Sequence, residues 1–259
     1  MSEKNSRART TRHSDVAAVI PAAGAGQRMG GATPKVLLAL RGEPMLVHTV
    51  RAFQDSPAIR WVIVVVRQED ASAVRTLLKR VGITKALEPC LGGASRAESV
   101  AKGVAAVPPE AGWVLVHDAA RPCVTLPLIE QAVQAARRDG AVACGLPAML
   151  TVKAADERGG VRVTLDRDQL WFAQTPQVFR RDWFVEALAR AAGRLESFPD
   201  DAAVVESAGC PVRMIPGDPL NIKVTTPEDL LLAEAILGAR APARPTSNEN
   251  RPRLRLTSV

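Results

Sequence analysis

Val16-Ala17-Ala18-Val19-Ile20-Pro21-Ala22-Ala23-Gly24-Ala25-Gly26-Gln27-Arg28-Met29-Gly30, followed by Pro34-Lys35, is the stretch on which the reading of this 259-residue chain turns. Its first five residues form a short continuous apolar run, the pattern of a strand buried in a parallel sheet. Three glycines then let the backbone approach a ligand closely, and the N–H groups of such a turn can cradle an anion. Arg28 and Lys35 place two full positive charges beside that turn, so a polyphosphate is the expected occupant. Neither familiar nucleotide loop fits. No Gly-Lys-Ser/Thr tripeptide occurs, and Gly24, Gly26 and Gly30 read G-x-G-x-x-x-G, one residue longer than the dinucleotide fingerprint. The second apolar strand, Trp61 to Val66, ends in Arg67 where that fingerprint needs a ribose-binding acid. The alternative is a tight strand-to-loop turn that binds nothing.

Outward from this loop, helical and strand patterns alternate. Pro44 to Gln54 carries apolar residues at helical spacing, Trp61 to Val66 is a buried strand, and Glu69 to Val81 is a helix stopped by Gly82. A short strand at Lys85 to Glu88, a helix at Ser95 to Ala106 and a strand at Trp113 to His117 follow. Leu126 to Arg138 is helical, and Ala141 to Leu146 is again a strand. This alternation predicts a mainly parallel sheet with helices on both faces and ligands at the carboxyl ends of the strands. Thr151 to Leu165 breaks the rhythm: two short β-patterned runs flank Asp156-Glu157-Arg158-Gly159-Gly160, as in a hairpin. An isolated hairpin is marginally stable, so a second subunit is the natural surface for it. Helices at Arg181 to Ala192 and Asp201 to Ala208, a strand at Val212 to Ile215 and a last helix at Pro227 to Leu237 complete the pattern. Thr226 is a suitable N-cap for the last helix.

Composition narrows the functional classes. A chain that is 47% hydrophobic and 24% charged is an ordinary globular protein. The formal charge of +7 is concentrated at the ends, +3 in residues 1–14 and +4 in residues 240–259. Both ends, 1–14 and 239–259, read as disordered basic tails. The body is balanced, tyrosine is absent and aromatics are 3%, so little is available for a nucleic-acid stacking platform. Cys90, Cys123, Cys144 and Cys210 have neither paired nor metal-ligand spacing and read as reduced thiols of a cytoplasmic protein. No apolar run reaches membrane-span length.

Five clusters follow strands or sit in loops, where this fold would gather them at one sheet edge. They are the Gly24 loop, Gly92 to Val100, His117 to Pro122, Asp166-Arg167 with Gln174 to Gln177, and Asn221 to Thr225. Together they resemble the 2-C-methyl-D-erythritol 4-phosphate cytidylyltransferases of nonmevalonate isoprenoid biosynthesis, from about Val16 to Leu237. The resemblance implies an α/β chain with a single Rossmann-like nucleotidyltransferase domain over 15–238, its mostly parallel twisted sheet flanked by helices. A protruding β-hairpin dimerisation arm at about 148–167 would complete the site of a homodimeric partner. The implied reaction transfers a cytidylyl group from CTP to the acceptor phosphate and releases diphosphate, with Mg2+ as cofactor held chiefly by the CTP phosphates.

By the same resemblance Arg28 and Lys35 are the cations around the CTP phosphates, and Arg167 and Lys223 position the acceptor. Pro21, Ala22, Ala23, Gly24, Gly26, Gly93 and Ser99 surround the nucleotide; Ser99 can equally be a helix-surface serine. Asp118 and Ala119 lie by the ribose and the incoming alcohol groups, with Asp118 a candidate metal contact. Arg121 is either structural or a substrate contact, and Thr151 and Thr175 are further acceptor partners. The family has an acid where Ala94 stands, and Leu150 replaces an acid common before the arm threonine. His48 reads as a satisfied helix side chain, His117 as ordering a loop, and Asp200-Asp201 as a loop and helix-capping pair. A ribitol 5-phosphate cytidylyltransferase shares the same motifs. A non-catalytic nucleotide-binding paralogue would have lost Arg28, Lys35, Arg167 or Lys223, and all four are present.

Overall fold

A computed structural model describes residues 15–24 and 34–240. The tails at 1–14 and 241–259, and Gly26 and Arg28 of the glycine loop, lie outside the described residues. In chain order, β1 (Val16–Pro21) leads through the loop to a small antiparallel pair, β2 (Ala39–Leu40) and β3 (Glu43–Pro44). Then follow α1 (Met45–Asp55), β4 (Ile59–Val66), α2 (Ala71–Arg80), β5 (Cys90–Leu91), α3 (Arg96–Ala105) and β6 (Trp113–Val116). The second half runs α4 (Leu126–Asp139), β7 (Ala141–Pro147), β8 (Lys153–Ala155), β9 (Val161–Thr164), β10 (Trp171–Arg180), α5 (Arg181–Arg190), α6 (Asp201–Ser207), β11 (Arg213–Pro216) and α7 (Pro227–Arg240).

Seven strands form one sheet in the order β11-β7-β10-β6-β1-β4-β5, parallel throughout except for β10. The continuous apolar runs are explained by burial on both sides. Val16, Ala18 and Ile20 of β1 face the layer of α1, α2 and α4, where Phe53, Leu78 and Ile129 pack. Ala17 and Val19 face α3, α5 and α6, with Val104, Phe184 and Val205. Strand alternation therefore distributes one apolar run between two cores. Helix α3 lies especially close to the sheet, because a Cβ on Gly103 would meet Val65 Cγ2 at 2.7 Å and also collide with Val19 Cγ1. Glycine is required there to seat the helix that carries Ser95, Arg96 and Ser99.

Several boundaries follow local chemistry. Ser95 caps α3 by accepting from Glu98 N at 3.1 Å. At α7, Thr226 Oγ1 accepts from Asp229 N while Asp229 Oδ2 accepts from Thr226 N at 2.9 Å, a reciprocal cap. Leu40, Met45, Cys123 and Val224 pack with Ala233 to dock this helix. Arg240, read from the sequence as part of a tail, belongs to α7. Its guanidinium bonds the Asp218 carboxylate at 2.9 Å and also donates to the Cys123 carbonyl.

Two strand expectations are corrected. Lys85 to Glu88 is not a regular strand: Lys85 O and Leu87 N bond only to Val62, a single bridge at Ala86, and the strand is Cys90–Leu91. Gln174 to Gln177, read as a loop, lies within the ten-residue strand β10. A proline argues against a central strand. It is accommodated here because the β10–β7 register breaks between Ala173 and Gln177, across the cis Thr175–Pro176 bond. The expected hairpin is present as β8 and β9, with Asp156 Oδ1 accepting from Arg158 N and Gly160 N and Gly159 at φ +81°. Among the described residues no helix is long and apolar enough to cross a membrane.

Candidate active site

Parallel strands β1, β4, β5 and β6 end on the same sheet edge, and β10 begins there because it runs the other way. A cleft of about 640 Å³ opens at that edge. Pro21, Ala22, Ala23 and Gly24 enter it from the end of β1, Gly93 from the turn into α3, Ser99 from the first turn of α3, and Asp118 and Ala119 from the end of β6. Lys35 and Lys223 enter from segments far apart in sequence. Ten of the sequence-predicted residues thus share one cleft.

The wall formed by Ala22, Ala23 and Gly93 depends on close backbone approach. Ala22 N donates to Val65 O at 2.7 Å and Gly92 N to Val66 O at 2.8 Å. A Cβ on Gly92 would come within 2.6 Å of Ala23 Cβ and 2.9 Å of Ser99 Oγ. Ser99 is buried rather than on the helix surface. Its hydroxyl donates to Ser95 O at 2.8 Å and accepts from Gly93 N at 3.1 Å, so it clamps the glycine turn. At Ala94, where a carboxylate is absent, Glu98 Oε2 accepts from the backbone N–H at 2.8 Å.

Asp118 organises the cationic floor. Oδ1 accepts from Arg96 Nε at 2.9 Å; Oδ2 faces Lys223 Nζ at 2.9 Å and Arg121 Nε at 3.6 Å. Burial alone would raise the Asp118 pKa, but Arg96 and Lys223 outweigh it and hold the carboxyl well below the usual range. Burial would likewise lower the Arg96 pKa, yet Asp201 and Asp118 reverse the shift. Lys35 Nζ donates to Val224 O at 2.8 Å, the residue after Lys223, and Val224 N donates to Ala120 O at 2.8 Å. One short segment therefore ties Lys35, Lys223 and the Asp118 turn together.

His117 and Thr175 support this floor from below. Nε2 of His117 faces the Arg121 carbonyl at 3.2 Å, which only accepts, so Nε2 carries the proton. Nδ1 then accepts from Thr175 Oγ1 at 3.0 Å, and that oxygen accepts from Asp118 N at 3.1 Å. Burial pushes the His117 pKa down to about 4. The ring is neutral and both nitrogens are engaged, as expected for a loop-ordering residue. Arg121 is half-buried and off the cleft wall; it faces Asp118 Oδ2 and donates to Asn221 O at 2.9 Å.

Thr151 and Arg167 do not line this cleft. Both are exposed beside the β8–β9 hairpin, where Arg167 Nη1 donates to Met149 O at 3.0 Å. Asp200 caps α6 by accepting from Ala203 N at 2.9 Å, whereas Asp201 is ion-paired with Arg96. Sequence reading assigned no role to Arg96 or Arg67, although both stand on the cleft wall. The available signal was position: Arg96 immediately follows a capping serine after a glycine turn, and Arg67 follows an apolar strand. Among the described residues no three metal-ligating side chains cluster, and Asp118 is the one acidic side chain on the cleft wall.

A family model described as 2-C-methyl-D-erythritol 4-phosphate cytidylyltransferase matches residues 16–239. A relative of that name from Pelotomaculum thermopropionicum is 43% identical over 226 residues, 87% of this chain and 95% of its own length. One from Syntrophus aciditrophicus is 41% identical over 86% of this chain and 95% of its own. The crystal structure of a 4-diphosphocytidyl-2C-methyl-D-erythritol synthase from Anaerococcus prevotii superimposes with a TM-score of 0.77 at 27% identity, covering 87% of this chain and 97% of that one. With the glycine turn, both lysines and the Asp118 turn gathered in one cleft over the matched span, the chain belongs to the 2-C-methyl-D-erythritol 4-phosphate cytidylyltransferase family.

Proposed function

We propose that this enzyme transfers the cytidylyl group of CTP to the phosphate of 2-C-methyl-D-erythritol 4-phosphate, releasing diphosphate, in isoprenoid precursor biosynthesis. The observation that carries the reading is the union of Lys35 and Lys223 in one cleft, joined through the Val224 carbonyl beside the Asp118 turn. Two polyanions must be brought together against their repulsion, and this cleft is lined by cations with Asp118 alone to oppose them among the described residues.

An ionised oxygen of the acceptor phosphate attacks the α-phosphorus of CTP. The bond from that phosphorus to the bridging oxygen breaks, and the electron pair leaves with diphosphate. The nucleophile is already ionised, so the work is positioning and charge stabilisation rather than proton removal. Lys35 and Arg28 stabilise charge on the triphosphate, and Lys223 and Arg167 hold the acceptor. The slot between Ala22-Ala23 and Gly93, clamped by Ser99, suits a pyrimidine read by backbone groups. Asp118 and Ala119 lie by the ribose, with Thr151 on the acceptor side and Thr175, buried off the cleft wall, serving that side through its bond to Asp118 N.

A magnesium ion would be held mainly by phosphate oxygens and water, because both Asp118 oxygens already face cations; Asp118 is the acidic side chain that the described cleft wall would offer it. When bound it supplies neutralisation of the triphosphate charge. A homodimer is supported by exposed Met149, Leu150, Val161, Val163, Trp171 and Phe172 on and beside the arm. It would carry Thr151 and Arg167 to a neighbouring cleft. The cytoplasm is the assigned compartment, in keeping with four free cysteines among the described residues.

The test incubates the full chain with CTP, Mg2+ and either 2-C-methyl-D-erythritol 4-phosphate or ribitol 5-phosphate and follows diphosphate. Preference for the first is expected. Preference for ribitol 5-phosphate would replace the acceptor, and no release with either would remove the transferase assignment.

A further inference from the structure

Asp118 is held in place from two directions. Its N–H donates to Thr175 on β10, and its side chain is gripped by Arg96, the first residue of α3. The same guanidinium reaches Asp201 with Nη1 at 3.3 Å from Oδ1 and Nη2 at 2.9 Å from Oδ2. Asp201 is only 3% exposed and opens α6. That helix start is itself pinned to β10, because Gln177 donates to Asp200 Oδ2 at 2.8 Å and accepts from Ala202 N at 2.9 Å. Asp200 already performs the capping, so Asp201 is not needed for it. Asp201 is buried and Arg96 half-buried, and an ion pair taken out of water commonly contributes no more stability than an apolar substitute. What the fork does supply is geometry: a planar guanidinium can bind two carboxylates at once in fixed directions, which an ammonium cannot.

We infer that Asp201 and Arg96 form an anchor that positions Asp118 and, through its second oxygen, the Lys223 ammonium for the acceptor phosphate. This rests on the assignment of the cleft to cytidylyl transfer. Lys223 is the more exposed partner, at the end of a flexible four-carbon stem, and Asp118 Oδ2 at 2.9 Å is its fixed contact. Arg96 Nε occupies Oδ1 and thereby leaves Oδ2 turned toward Lys223 and Arg121. Arg96 and Asp201 are thus positioning residues whose effect reaches the acceptor through Asp118.

The test compares full-length Arg96→Gln, Arg96→Lys, Asp201→Asn and the Arg96→Gln/Asp201→Asn double variant with the unchanged enzyme. It measures kcat/KM for 2-C-methyl-D-erythritol 4-phosphate at saturating CTP, and CTP affinity by calorimetry with Mg2+ and no acceptor. Arg96→Gln is expected to lower acceptor kcat/KM about tenfold, the scale of supporting-shell losses, and Asp201→Asn to lower it in the same direction. CTP affinity should fall clearly less than acceptor kcat/KM, because Asp118 is one of several contacts to the nucleotide, and Arg96→Lys should not restore the loss, because it keeps the charge without the fork. The double variant should be no worse than Arg96→Gln, since both changes break one chain of contacts. It also removes both charges of the pair together, which keeps the comparison usable if Arg96→Gln alone folds poorly. Unchanged acceptor kinetics, full rescue by lysine, or a parallel loss of CTP affinity would overturn the anchor while leaving the transferase assignment intact. Absence of turnover in the unchanged enzyme would overturn both.

Discussion

Lowering pH from 7 to 5 should destabilise the fold by about 2 kcal/mol through His117 alone. The ring is fully buried, and burial pushes its pKa from the ordinary 6.5 down to about 4. The unfolded chain therefore binds a proton through the window from 6.5 to 4 that the folded chain refuses. Stability is highest above 6.5 and falls with pH by up to about 1.4 kcal/mol per unit, reaching a loss of about 3 kcal/mol by pH 4. Asp118 adds little to this window: its folded pKa is depressed, so its stabilising contribution persists above the unfolded carboxyl value and is lost only in stronger acid. The groups facing His117 are Asp118, Arg121, Lys223 and the Thr175 hydroxyl. The assay is urea unfolding at pH 7 and pH 5 for the unchanged protein and for His117→Asn, whose amide oxygen can still accept from Thr175. The variant will be less stable at pH 7, but its pH 7 to 5 change should be smaller by about 2 kcal/mol. Equal changes in the two proteins would refute the reasoning, because the proton would then have entered the fold somewhere other than His117.

Lys35→Ala should reduce kcat by about 10² to 10³, while CTP affinity falls much less; unchanged turnover in steady-state assays would mean that the loop has been misread. Mixing Lys35→Ala with Arg167→Ala subunits should recover about a quarter of the unchanged activity, since each mixed dimer restores one site when the arm crosses to its neighbour. No recovery after confirmed subunit exchange would place Arg167 in its own subunit's site. Gly103→Ala should cost about 1 to 3 kcal/mol in denaturant unfolding by pushing α3 off Val19 and Val65, and a neutral result would contradict the close helix seating. Trace-metal removal with EDTA should abolish diphosphate release and Mg2+ should restore it; full activity without divalent ions would exclude the assigned cofactor.

Periodicity sufficed for most of the fold. The runs at Val16 and Trp61 lie where β1 and β4 form, because residues buried on both faces leave no alternative polar face. Strand β10 was hidden for the opposite reason. Gln174, Thr175 and Pro176 interrupt its apolar pattern, and only the register break beside β7 shows how a central strand accommodates them. Lys85 to Glu88 failed because a β pattern four residues long does not reveal that only Ala86 will find a bridge.

Residue types and local spacing thus determined the doubly covered sheet, the hairpin, the glycine turn and the candidate cations around it. They could not determine which charges would meet. Arg96 and Asp118 are 22 positions apart, and Asp201 lies 105 from Arg96, so no local pattern announces their contact. Tertiary structure decided that Ser99 clamps the turn from within, that His117 is a buried neutral support, and that Lys35 and Lys223 meet through Val224. The reason is physical: local sequence governs which backbone conformation each segment prefers, whereas pairing of buried charges depends on where packing brings distant strand ends together and how completely it removes water from between them.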